Sequence, residues 1–286
     1  MSIRSSVLSA VSAALLCLLP HLAASADTID TIKKTSTITI GYRADSAPFS
    51  SQGADGKPTG YSVALCLDIA KAIAQTQGIK GLKVLFQTVK ATDRFEALRA
   101  GKIDILCEGT SETIQRMETL DFTLQTFVSG ASLMVRADQQ ISGLQDLAGK
   151  KIGVLKNTTT ADGLRGTLKK GNIAADVAMF DDHDAGLAAL EEKAIDAYFA
   201  DRELLIGLQA RAKTPEALLV AEEYLTNEPY ALAIRQNDYR LKLIANLTLS
   251  RLYRSRAILD RFHDAFPGRK PSQLLTALYL LNGLPE

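Results

Sequence analysis

The chain has 286 residues, 47% of them hydrophobic and 23% charged, the balance of a folded globular protein long enough for two domains. Its 33 basic residues nearly match its 32 acidic ones, so no cationic excess exists to neutralise phosphates, and a nucleic-acid partner is not expected. Three Cys and three His are too few for a Cys-rich zinc module or a dense disulfide scaffold, and neither a metal nor a cofactor is expected.

Residues 1–26 read as an export signal. Arg4 precedes an apolar run from Val7 to Leu19, Pro20 interrupts it, and the small residues Ala24 and Ala26 suit cleavage after Ala26. The run is about 13 residues, short of the ~20 that span a bilayer, so an uncleaved anchor is disfavoured. Cys17 lies inside it, but Leu16 is too large for the position before a lipidated cysteine. Cleavage removes Arg4 and no acid, leaving equal numbers of basic and acidic residues. The mature protein is expected in the periplasm. Cys66 and Cys107 then sit in an oxidising compartment, which favours a disulfide between them over two buried thiols.

The mature chain alternates strand and helix. Thr37 to Ile40 reads as a strand ending at Gly41, and Tyr61, Ala64, Leu65, Ile69, Ala72 and Ile73 follow helical spacing up to Gly78. Leu82 to Val89 is a strand, Phe95 to Ala100 a helix and Ile103 to Cys107 a strand. The grammar restarts after residue 143. Lys151 to Leu155 is a strand, a helix follows Thr158 to Thr160, Val177 to Phe180 is a strand, Ala185 to Lys193 a helix and Ile195 to Phe199 a strand. Two α/β lobes follow, each with a mostly parallel sheet. Gly130 to Arg136 and Tyr230 to Arg235 read as crossings between them. The expected division is residues 27–131 and 231–286 in lobe 1 and 132–230 in lobe 2; two domains joined once is the alternative. The helical stretch from Asp238 onward carries apolar stripes that suit core packing.

In an open α/β sheet the carboxyl ends of the strands face the ligand crevice. Three such ends lead to an arginine here: Arg43 in Gly41-Tyr42-Arg43, Arg94 in Thr92-Asp93-Arg94, and Arg116 beyond Gly109-Thr110-Ser111. A single arginine of this kind is ordinarily a solvated charge, but three suggest an anionic ligand, because the guanidinium fork holds a carboxylate with two bonds. Thr158 to Thr160 opens a helix whose free N–H groups suit an anion, or simply caps it. His183 stands among acids after a strand, where a surface position is the bland reading. Asp201 follows a strand and can hold an ammonium or cap the next helix. The motifs of serine hydrolases, phosphate loops, zinc proteases and dinucleotide binding do not occur, so an enzyme is not expected.

Six segments in order resemble the amino-acid-binding proteins of ABC transporters. They are Gly41-Tyr42-Arg43-x-x-Ser46-x-Pro48-Phe49, Gly60-Tyr61-Ser62-Val63, Gly101-Lys102-Ile103-Asp104, Gly109-x-Ser111-x-Thr113-x-x-Arg116, Asp146 to Val154, and Asp196 to Asp201. The resemblance spans about residues 36–255 and implies a type II periplasmic-binding-protein fold, with two doubly wound α/β lobes joined by a two-strand hinge. It implies that Arg116 clamps the ligand α-carboxylate, that Ser111 and Thr159 serve the same group, and that Asp201 and the Gly109 carbonyl take the α-ammonium. Arg43, Arg94 and His183 resemble the glutamate/aspartate-binding branch, where these positions face the side-chain carboxylate. Ala91 and Gly109 stand where that branch often has serines, and Asn157 where it has glycine. The partners implied are a small amino acid and a membrane permease, with the protein a monomer because its lobes open and close. A cyclohexadienyl dehydratase-like enzyme on the same fold and a soluble amino-acid sensor are the alternatives.

Overall fold

The computed structural model describes residues 27–141 and 143–285, so the export signal read in residues 1–26 lies outside the described residues. In chain order the first elements are α1 (Thr28–Thr35), β1 (Thr37–Tyr42), β2 (Asp45–Ser46), β3 (Ser50–Gln52), β4 (Pro58–Thr59) and α2 (Tyr61–Gln77). Next come β5 (Lys83–Thr88), α3 (Arg94–Arg99), β6 (Ile105–Leu106), α4 (Ile114–Met117), β7 (Leu120–Ser129) and β8 (Ala131–Arg136). They are followed by β9 (Lys151–Leu155), α5 (Thr159–Lys170), β10 (Asp176–Phe180), α6 (His183–Glu191), β11 (Ala197–Asp201), α7 (Arg202–Gln209) and β12 (Leu218–Val220). Last are β13 (Glu228–Arg235), α8 (Tyr239–Ser255), α9 (Ile258–Ala265) and α10 (Gln273–Asn282).

Two five-stranded sheets organise these elements. The first has the order β5-β1-β6-β13-β7 and the second β10-β9-β11-β8-β12; β2, β3 and β4 form a small third sheet. In the first, β5, β1 and β6 are parallel, and β13 runs antiparallel to β6 and β7. In the second, β10, β9 and β11 are parallel and β8 is antiparallel to β11. Parallel strands buried on both faces read as continuous apolar runs, which is why Ile38, Ile40, Ile152 and Val154 reach zero exposure. The first sheet draws strands from both ends of the chain and the second from its middle. Residues 131–136 and 230–235 are ordinary sheet strands. The chain changes sheet at Gly130 and again between β12 and β13.

The first lobe is packed around an aromatic cluster. The Phe49 ring meets Phe127 at 4.9 Å and Tyr230 at 5.0 Å between centroids, both edge-on, as ring quadrupoles prefer. The α2 stripe Leu65, Ile69 and Ile73 is fully buried beneath it. Cys66 in α2 is joined to Cys107 after β6, with Cα atoms 6.3 Å apart. Leu204 of α7 belongs to the same apolar cluster, so the second lobe inserts a side chain into the core of the first. Beside it, Gly207 packs on the β2–β3 turn, where a Cβ would come 2.5 Å from the Ala47 carbonyl oxygen. No described helix is long and apolar enough to cross a membrane.

Candidate functional site

Arg43, Arg94, Gly109, Ser111, Arg116, Thr159, His183 and Asp201, all eight residues singled out from the sequence, line one cavity between the lobes. Thr158, Thr160, Ala200 and Leu204 complete the lining. The enclosed space is about 20 Å³, room for roughly one water, so the polar groups are turned onto one another.

Arg43 follows β1 and is 4% exposed. Its Nε and Nη2 donate to the two oxygens of Asp45 at 2.9 and 2.6 Å, a bidentate fork. Asp45 also accepts the backbone N–H of His183 at 3.0 Å, which ties lobe 1 to the start of α6. Burial pushes the Asp45 carboxyl up, but the charge and bonds of Arg43 outweigh it and hold the carboxyl well below the usual range.

Arg94 opens α3 and is 3% exposed. Its Nε lies 2.7 Å from Glu108 Oε1, as an ion pair without hydrogen-bond alignment. Its Nη2 donates to the Asn157 carbonyl across the cleft at 3.2 Å. The guanidinium stacks on the Phe95 ring at 4.2 Å, and that of Arg116 lies 5.0 Å from the same ring. Burial, opposed by Glu108, lowers the Arg94 pKa to about 10. Arg116 in α4 donates from Nη1 to the Ser111 carbonyl at 2.7 Å, and burial lowers its pKa too.

Beside the cavity, at the start of β13, Glu228 gathers hydroxyls from both lobes. Its Oε2 accepts from Ser111 Oγ and from Thr159 Oγ1, the latter at 2.6 Å, and its Oε1 from Thr226 Oγ1 at 2.9 Å. Asp201 ends β11. The Tyr230 hydroxyl donates to its Oδ2, while its buried Oδ1 has no protein partner. Burial first, then the charge of Glu228, raises its pKa well above the usual carboxylate range. Gly109 backs onto the Tyr230 ring, where a Cβ would come within 2.7 Å. His183 is 2% exposed, its Nδ1 3.0 Å from the Tyr198 hydroxyl. Burial, then the charge of Arg43, lowers its pKa to about 3, so the imidazole is neutral at ordinary pH.

The sequence reading missed three acids of this cluster. Asp45, Glu108 and Glu228 are the direct partners of the groups that it selected. Asp45 and Glu108 each stand within two residues of a selected one, which was the available signal.

Two α/β lobes folded over a polar cleft, with the chain passing twice between them, define the type II periplasmic-binding-protein fold. The sequence pattern of the bacterial extracellular solute-binding proteins, family 3, matches residues 38–264, and the chain belongs to that family. The L-glutamate/L-aspartate-binding protein of Pseudomonas aeruginosa is 30% identical, over 80% of this chain and 76% of that one. The general L-amino acid-binding periplasmic protein AapJ of Rhizobium johnstonii is 29% identical, over 82% and 68%. The crystal structure of the ancestral amino acid-binding protein AncCDT-1, a precursor of cyclohexadienyl dehydratase, matches with a TM-score of 0.73 and 26% identity, covering 84% of this chain and 99% of that one.

Proposed function

We propose that the chain captures an amino acid with an acidic side chain, glutamate or aspartate, between its lobes and delivers it to the permease of an ABC transporter, as a monomer in the periplasm. The observation that carries this reading is the convergence of Arg43, Arg94 and Arg116 on one inter-lobe cavity that also holds the unpartnered oxygen of Asp201. An amino acid with a second carboxylate has the complementary pattern. Arg116, with Ser111 and Thr159, takes the α-carboxylate; Asp201 and the Gly109 carbonyl take the ammonium. Arg43 and Arg94 take the side chain, with neutral His183 as a hydrogen-bonding neighbour. Binding the ammonium ionises Asp201 by supplying the counter-charge that it lacks. The relative from Pseudomonas aeruginosa supports the acidic ligand, and the named relatives support binding over catalysis.

Calorimetry of the purified mature protein against the amino acids, with arogenate and prephenate as turnover substrates, tests this. Glutamate or aspartate is expected to bind tightest, without turnover. Arg116→Ala removes a fork and leaves a buried carboxylate unpaired, an expected loss of at least ~3 kcal/mol or over a hundredfold. Arg116→Lys recovers little, since an ammonium does not copy the fork. A loss below about fivefold for the alanine variant sinks the Arg116 assignment. An amide bound as tightly as its acid sinks the acidic one, and turnover replaces capture with catalysis.

A further inference from the structure

Glu108 is a buried acid pressed against the two arginines at the side-chain end of the cleft. It directly follows Cys107 and is 2% exposed. Its carboxylate lies 2.7 Å from Arg94 Nε and 3.6 Å from Arg43 Nε, and Thr110 Oγ1 donates to it at 2.7 Å. Asp45 takes the Nε and Nη2 of Arg43. Arg43 and Arg94 are therefore matched by two carboxylates before any ligand arrives, while Arg116, which donates to the Ser111 carbonyl, is left for the α-carboxylate. The four paired residues all belong to lobe 1, so the balance persists however the lobes move.

We propose that Glu108 is a specificity-determining residue: by neutralising the Arg43–Arg94 pair, it sets how strongly the cleft prefers a carboxylate side chain over the amide of the same shape. This rests on the amino-acid reading of the cleft given above. A side-chain carboxylate entering here gains hydrogen bonds from the Arg43 and Arg94 guanidinium groups, but their charge is already matched by Asp45 and Glu108. An amide oxygen gains similar bonds, so the native preference for the acid is held down. If Glu108 loses its charge and keeps its shape, one guanidinium is left without a counter-ion in a buried site. Only a charged ligand then restores the balance, and the amide is rejected by the unpaired cation. Discrimination is a difference of two affinities, so a residue that need not touch the ligand controls it through the charge that the ligand meets.

The experiment is calorimetric titration of the full mature protein with two acid–amide pairs, glutamate with glutamine and aspartate with asparagine. Glu108→Gln keeps an oxygen to accept from Thr110. It is expected to raise the acid-to-amide affinity ratio at least tenfold over native. Because Glu108→Gln leaves Arg94 unpaired and can fold poorly, Arg94→Met and the double variant Arg94→Met/Glu108→Gln form a second comparison. Arg94→Met is expected to lower the ratio below native, and adding Glu108→Gln to it to raise the ratio again at least tenfold. A purely structural Glu108 would shift melting temperature and both affinities together and leave the ratio alone. A native protein that binds the pairs, with ratios unmoved within twofold in both comparisons, overturns this proposal alone. A native protein that binds neither member of either pair overturns the reading of the cleft and this proposal with it.

Discussion

The substitution Asp201→Asn is expected to stabilise the unliganded protein while destroying its capture of amino acids. Asp201 is 6% exposed, one of its oxygens accepts from Tyr230, the other has no protein partner, and Glu228 adds a like charge. In the unfolded chain such a carboxyl titrates near 3.9. In the folded protein it titrates well above that value, first because of burial and then because of Glu228. Between the two values the folded state keeps a proton that the unfolded state has released, so this residue's contribution to stability falls as pH rises. An asparagine side chain does not titrate. The advantage of Asp201→Asn is therefore absent below about pH 4 and grows above it. Its ceiling is about 1–3 kcal/mol, the usual cost of a buried polar group left unsatisfied. For a protein of this size that corresponds to a rise of roughly 2–10 °C in melting temperature. Binding moves the other way. Without the carboxylate the ligand ammonium is buried unpaired, and the affinity should fall by at least ~3 kcal/mol, over a hundredfold. Thermal denaturation from about pH 4 to about pH 9, with calorimetry on the same samples, reads both effects. A variant that melts lower than native at about pH 8 and binds within about fivefold of native would refute the reasoning about Asp201.

The Cys66–Cys107 bridge closes a sequence separation of 41 residues, and by the chain-entropy relation its removal in a Cys66→Ser/Cys107→Ser protein costs about 4 kcal/mol. Denaturant unfolding measures this, and a midpoint unchanged from native refutes it. His183 is neutral in the fold, held to about 3 by burial and by Arg43, whereas an unfolded imidazole titrates near 6.5. The unfolded chain thus binds the extra proton, and stability should decline as pH falls from about 6.5 toward about 3. A His183→Asn protein should show a shallower decline over that range in thermal melts, and parallel native and variant curves would contradict the assignment.

Much of the fold was legible because parallel strands and amphipathic helices leave periodic marks. The α2 stripe stops at Gly78 where the spacing says, and β9, β10 and β11 lie within two residues of their expected limits. The ten-residue β7 was not seen. Asp121, Thr123, Gln125 and Thr126 interrupt its apolar pattern, and Thr123 and Thr126 are nonetheless buried through tertiary contacts. The small sheet of β2, β3 and β4 was missed because strands of two or three residues carry no period. In the site, the arginines announced themselves by standing at strand ends. Their counter-ions did not: Glu108 had only its place beside Gly109 to mark it, and nothing in the residues around Glu228 tells a solvated acid from one folded against three hydroxyls. A tally of cations alone therefore overstated the charge offered to a ligand.

At Gly207 the two lobes meet with no side chain between them. There α7 meets the Ala47–Pro48 peptide so closely that a Cβ has no room. The spacing of the two lobes along this seam is thus set by peptide positions and not by the charges of the site. A single methyl at this point would push α7 off the Ala47–Pro48 peptide and part the seam, whatever the charges of the site.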